Sequence, residues 1–187
     1  MTVRVICWTR GDPEFIAVVR KMKSLLEIQG LSLVLTSDVS TLSCHAIVCC
    51  GCNSEKEVCH SDPWVSLFKA LSPSGRFRSL RIGVDPGSFC SLAAYADNLL
   101  IWLEKGECEE IAKRIKWLTS IAPSDVITIN VGSGSGWERV AIELTKLELS
   151  FRLVEESRTS SRPIYSKLKD KIKDEDLLAA MTISLSL

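Results

Sequence analysis

Three stretches of this 187-residue chain place acids where an apolar run begins or ends. Asp85 closes the apolar part of LRIGVDPGSFC, Glu155 and Glu156 follow FRLV, and Asp176 opens DLLAAMTISL with Asp174 two residues before it. Carboxylates gathered at one point repel each other unless a cation sits among them, and hard divalent cations take oxygen ligands. Brought together, Asp85, one of Glu155 and Glu156, and one of Asp174 and Asp176 would make a triad for Mg²⁺ or Mn²⁺. Alternation along a strand keeps Glu155 and Glu156 on opposite sides. Positions two apart on a helix diverge by about 200°, so only one of Asp174 and Asp176 is expected to face the site, and Asp176 is preferred. Each acid also has a plainer reading. Asp-Pro-Gly is good turn chemistry, the glutamates suit a solvated strand end, and acids before a helix complement its dipole.

The elements that must position these residues fall into two parts, 1–77 and 78–187. The first reads as a small α/β segment, with strands in VRVICWT, LSLVLTSD and HAIVCCG. Its first helix has Asp12 as N-cap, Pro13 at the first helical position, an apolar face of Phe15, Val18, Val19, Met22, Leu25 and Leu26, and Gly30 as its stop. A second capped helix starts at Pro63, and the polar SPSGRFRS ends the segment. From residue 80, LRIGVDPGS, FCSLAAYADN and LLIWLEKG read as a three-strand meander. A helix over ECEEIAKRIKWLTSIAP, a strand DVITINVG, a helix WERVAIELTKLE and a strand FRLVEES follow. A closing helix is expected from about PIYSKLKD through DLLAAMTISLSL. The order is β-β-β-α-β-α-β-α.

The totals exclude little. Lys plus Arg and Asp plus Glu number 23 each, so binding to nucleic acid would have to come from local charge. The 46% hydrophobic content argues for a packed globular protein. With no apolar run of transmembrane length and no signal-like N-terminus, the expectation is a soluble cytoplasmic protein with no membrane partner. Five of the eight cysteines, Cys44, Cys49, Cys50, Cys52 and Cys59, lie near His45 and His60. Buried or free thiols, disulfides and a metal site are all open for them, because the spacing is not a clean pair of CxxC motifs.

The order of elements, with an Asp on the first strand of the meander, resembles the RNase H-like fold, and specifically its RuvC/YqgF branch. IGVDPG (82–87) is similar to that family's first-strand motif, LVEESRTSS (153–161) to its fifth-strand D-E-R-x-T-S run, and DLLAAMTISL (176–185) to its last-helix pattern. The resemblance covers residues 80–187 and implies an α/β, RNase H-like mixed sheet preceded by a small α/β segment. It also implies metal-dependent cleavage of structured DNA or RNA, of the Holliday junction resolvase or ribosomal RNA processing kind. Asp85, Glu156 and Asp176 would be catalytic, holding two ions about 4 Å apart. Between Ser157 and Lys173 six basic residues face one acid, a net of +5, and Arg158, Arg162 and Lys167 would meet phosphates. A homodimer would suit a two-fold substrate.

One departure and two alternatives accompany the resemblance. RuvC-type nucleases have an acid at the end of the fourth strand, where this chain offers Asn130. A non-catalytic RNase H-like binding or scaffold module is therefore the first alternative. The second comes from VGSGSGW (131–137), a strand, glycine turn and helix start similar to the first motif of S-adenosylmethionine-dependent methyltransferases.

Overall fold

The computed structural model describes residues 3–8, 13–36, 46–48, 57–58, 62–72, 74–155 and 170–186. Asp12, His45, His60 and the five cysteines between Cys44 and Cys59 lie outside them. The chain is an α/β protein that divides into two compact units. One comprises Met1–Phe77 with Ile121–Pro123, the other Arg78–Ser120 with Ser124–Leu187. No described helix is long and apolar enough to cross a membrane.

In the first unit, β1 (Val3–Trp8) lies between β2 (Ser32–Thr36) and β3 (Ala46–Val48), and β4 (Glu57–Val58) extends the sheet beyond β3. All the pairings are parallel. Helix α1 (Pro13–Ile28) links β1 to β2 and buries the six apolar residues that its 3.6-residue period singles out, Phe15 to Leu26. Gly30 takes a positive φ of 74°, and the Leu31 N–H returns to the Leu26 carbonyl at 2.9 Å, which closes the helix. Helix α2 (Pro63–Leu71) starts on Asp62, whose carboxylate accepts from the N–H groups of Trp64 and Val65 at 2.7 and 3.1 Å.

The second unit is built on a mixed five-stranded sheet in the order β7-β6-β5-β8-β9. The strands are β5 (Phe77–Asp85), β6 (Cys90–Ala96), β7 (Leu99–Gly106), β8 (Ser124–Gly132) and β9 (Arg152–Val154). β5, β6 and β7 form an antiparallel meander, and β9 runs parallel to β8. β5 starts earlier than its hydrophobic run suggests, taking in Phe77 to Ser79. There the Phe77 N–H meets the Pro123 carbonyl at 2.8 Å, and the Ser79 N–H meets the Asp97 carboxylate at 2.9 Å. Partners distant in sequence thus extend a strand through residues that read as linker.

The described helices of this unit are α3 (Cys108–Ile121), α4 (Trp137–Lys146) and α5 (Glu175–Ser184). Trp102 and Glu104 of β7 face α3. The Arg114 guanidinium lies 5.0 Å from the ring centres of both Trp102 and Trp117 and donates to Glu104 at 2.9 Å. The opposite face of the sheet carries α5. Every residue of β6 is buried as a result, which explains why CSLAAYA lacks the alternation of a half-exposed strand. The closing helix is shorter than its sequence suggests. Residues 170–174 are turn and extended chain, and α5 itself starts at Glu175.

A disulfide joins Cys90, the first residue of β6, to Cys108, the first of α3, with the Cα atoms 5.1 Å apart. The two cysteines are 0% and 4% exposed. They are two of the three that lie apart from the cysteine-rich stretch.

Candidate acidic site at the end of the central strand

Asp85 is the last residue of β5, and Pro86 and Gly87 turn the chain away immediately after it. Its orientation follows from its neighbours. Two residues earlier, a Cβ on Gly83 would overlap the Ala180 carbonyl and the Ser184 nitrogen of α5, so position 83 faces that helix at backbone contact. Alternation along the strand puts Asp85 on the same face.

The ladder carries this face across the meander. Asp85 is paired with Ser91, and Ser91 with Lys105. Directly opposed residues share a face, so the three form one row beneath the start of α5. With strands spaced about 4.8 Å apart, the row spans about 10 Å.

The start of α5 supplies the other acids. Asp174 is its N-cap, and its Oδ1 accepts from the N–H groups of Asp176 and Leu177 at 3.0 and 3.2 Å. Its Oδ2 lies 3.4 Å from the Lys105 ammonium, which also reaches Asp176 Oδ2 at 2.5 Å. Both aspartates therefore face the same cation, contrary to the expected divergence of 200°. That expectation assumed helical backbone at both positions, whereas Asp174 is extended, with φ −78° and ψ 114°. The cap reading is realised on Oδ1 of Asp174, while its Oδ2 pairs with Lys105.

The charges respond as this geometry requires. The hydrogen bond to Asp176 is the main influence raising the Lys105 pKa, and the charges of both aspartates add to it. Partial desolvation pushes the Asp174 carboxyl upward, but the Leu177 N–H and Lys105 outweigh it and hold the pKa below the ordinary value.

A fifth residue is unusual. Ser91, in the middle of the row, is 0% exposed, and its hydroxyl has no hydrogen-bond partner among the described residues. An orphaned hydroxyl in such a place costs about 1–3 kcal/mol. Placed between Asp85 and Lys105 in the row, it would suit a hydrated cation, whose water ligands would satisfy it. In this respect the residues present fit a hard divalent ion. No three His, Cys, Asp or Glu side chains among the described residues are already drawn together as a metal-binding group.

The remaining sequence candidates separate. Glu155 is exposed just past β9. Glu156, Arg158, Arg162 and Lys167 lie outside the described residues. Asn130 is fully buried and turned toward the far end of α5. Its Nδ2 donates to the Ile183 and Ser186 carbonyls at 2.8 and 3.1 Å, and its Oδ1 accepts from Arg152 Nε at 2.6 Å. It therefore satisfies helix-end carbonyls instead of standing in for a fourth-strand acid.

The glycine turn after β8 borders the same end of the sheet. Gly136, the N-cap of α4, has φ 93°, and a Cβ there would sit 3.7 Å from the carbonyl of Gly87. The turn thus packs against the Pro-Gly turn that follows Asp85. Lys105 and Ser91 are the residues that motif reading missed, because only the strand register brings them to Asp85.

No protein-family model, curated protein or solved structure matches this chain.

Proposed function

We propose that residues 78–187 form an RNase H-like domain of the RuvC/YqgF kind that acts as a metal-dependent endonuclease on structured DNA or RNA. The observation that carries this reading is that Asp85, at the tip of the central strand, shares one face of the sheet with Lys105, which pairs with Asp174 and Asp176 at the start of the closing helix. The strand order β7-β6-β5-β8-β9, with the acid on β5, supports it further. Asp85, Asp176 and Glu156 would hold Mg²⁺ or Mn²⁺, with Asp174 or Glu155 in support. A bound ion would supply Lewis-acid stabilisation and a more acidic water. Arg158, Arg162 and Lys167 would hold the phosphate backbone and make binding fall with salt.

The test is cleavage of four-way junction DNA and structured RNA with Mn²⁺ or Mg²⁺, comparing wild type with Asp85→Asn. Loss of an outer-shell partner alone costs 10–100-fold in metal sites, so loss of a direct ligand should lower cleavage by at least about 100-fold. A non-catalytic nucleic-acid-binding module is the second reading, favoured by the pairing of Lys105 with both aspartates. Salt-dependent binding without cleavage by wild type would select it.

A further inference from the structure

Lys105 belongs to the edge strand β7, yet it reaches two aspartates that are 69 and 71 residues away in sequence. Stability alone does not account for the arrangement. The Lys105, Asp174 and Asp176 side chains are 34%, 38% and 54% exposed, and ion pairs this open to water contribute little to stability. The ammonium does occupy the position where the Asp174 and Asp176 carboxylates converge, on the sheet face that Asp85 shares, and it supplies the positive charge that paired acids require.

Ser91 is the independent observation. Its buried, unpartnered hydroxyl lies in the same row, between Asp85 and Lys105. Lysine cannot satisfy it from its present position, whereas a hydrated ion among Asp85, Asp174 and Asp176 could.

We infer that Lys105 stands in for the divalent cation in the metal-free protein, and that binding the ion requires its ammonium to leave the two aspartates. Lys105 is thus a positioning residue. It keeps Asp174 and Asp176 together before the metal arrives and sets a threshold of metal concentration for loading. The inference rests on the metal-dependent reading above, but it concerns binding and can be tested without nucleic acid.

The experiment is calorimetric titration of the full chain with MnCl₂, comparing wild type, Lys105→Met, Lys105→Gln, Asp176→Asn and the Lys105→Met/Asp176→Asn double variant, each checked for folding by thermal melt. Removing the competing charge should tighten Mn²⁺ binding at least tenfold in Lys105→Met and in Lys105→Gln. Asp176→Asn should weaken it, and the double variant should show no gain. Binding by both Lys105 variants that is equal to or weaker than wild type overturns the inference while leaving the nuclease reading intact. So does a wild-type affinity that Asp176→Asn leaves unchanged. An absence of Mn²⁺ binding in every protein overturns both. Tighter binding in the Lys105 variants with no cleavage of any substrate supports the inference and overturns the nuclease reading alone.

Discussion

At the scale of single residues, the polar groups of the second unit fall into those that are satisfied and those that are not. Asn130 and Arg152 together satisfy the end of α5, Arg152 Nη2 reaching the Ser186 carbonyl at 2.7 Å. Ser91 and Tyr95 are the contrary cases: both are buried on β6, and neither hydroxyl has a hydrogen-bond partner among the described residues. For Ser91 the address beside Asp85 gives a reason. For Tyr95 the consequence is a pH effect. Burial pushes its phenol well above the ordinary value, and the charge of Arg81 offsets part of that rise. The unfolded phenol ionises near pH 10, so above that pH the unfolded state holds fewer protons than the folded one. Stability that is fully present below about pH 10 is therefore lost as pH rises toward the folded value. Urea midpoints at pH 8 and pH 10.5 should fall less in Tyr95→Phe than in wild type. At pH 8 the variant should be neutral or up to about 1 kcal/mol more stable, since no hydrogen bond is removed. An equal loss in both proteins would mean that Tyr95 ionises without restraint.

At the scale of elements, the contact between β5 and α5 decides where the acids stand. Gly83 allows the helix backbone to rest on the strand, two residues before Asp85. The glycine of IGVDPG is thus a close-approach residue, required by space and not by a left-handed turn. Gly83→Ala should destabilise the chain by at least about 2 kcal/mol, because the added methyl meets backbone that has no rotamer with which to yield. Chemical denaturation measures this. The same variant should weaken Mn²⁺ binding by moving the start of α5 away from Asp85. A Gly83→Ala protein as stable as wild type would show that the helix lies further from the strand.

At the scale of the whole molecule, the Cys90–Cys108 disulfide acts through the unfolded chain. It ties together residues 18 apart and closes the β6–β7 hairpin onto the start of α3. Closing a loop of this size restricts the unfolded ensemble by about 3 kcal/mol. The Cys90→Ala/Cys108→Ala double variant should therefore unfold at a lower urea concentration by about that amount, and added reductant should not lower it further through this pair. An unchanged midpoint would show that the bond makes no net contribution. Disulfides persist in oxidising compartments and in the interior of hyperthermophiles, so the bond also bears on where such a chain can mature.

Much of this organisation is legible in local pattern. The helical faces of α1 and α2, the three-strand meander and the position of Asp85 at a strand tip follow from apolar period and turn chemistry, which act over a few residues. The reach of β5 into SPSGRFRS and the late start of α5 do not, because they depend on partners such as Pro123 and Asp97 and on a cap that bends the chain at Asp174. Lys105 shows the limit most clearly. Near the β6–β7 turn Tyr95 faces Leu100, but Ala94 faces Trp102, so Ile101 is an extra residue in β7. Without that bulge Ser91 would face Glu104, and Lys105 would point toward α3. A one-residue shift exchanges the two faces of a strand. The sequence alone determined that acids end the central strand and open the last helix. The register, a property of paired strands and not of either one, decided that a lysine on the face of Asp85 meets the acids of the last helix.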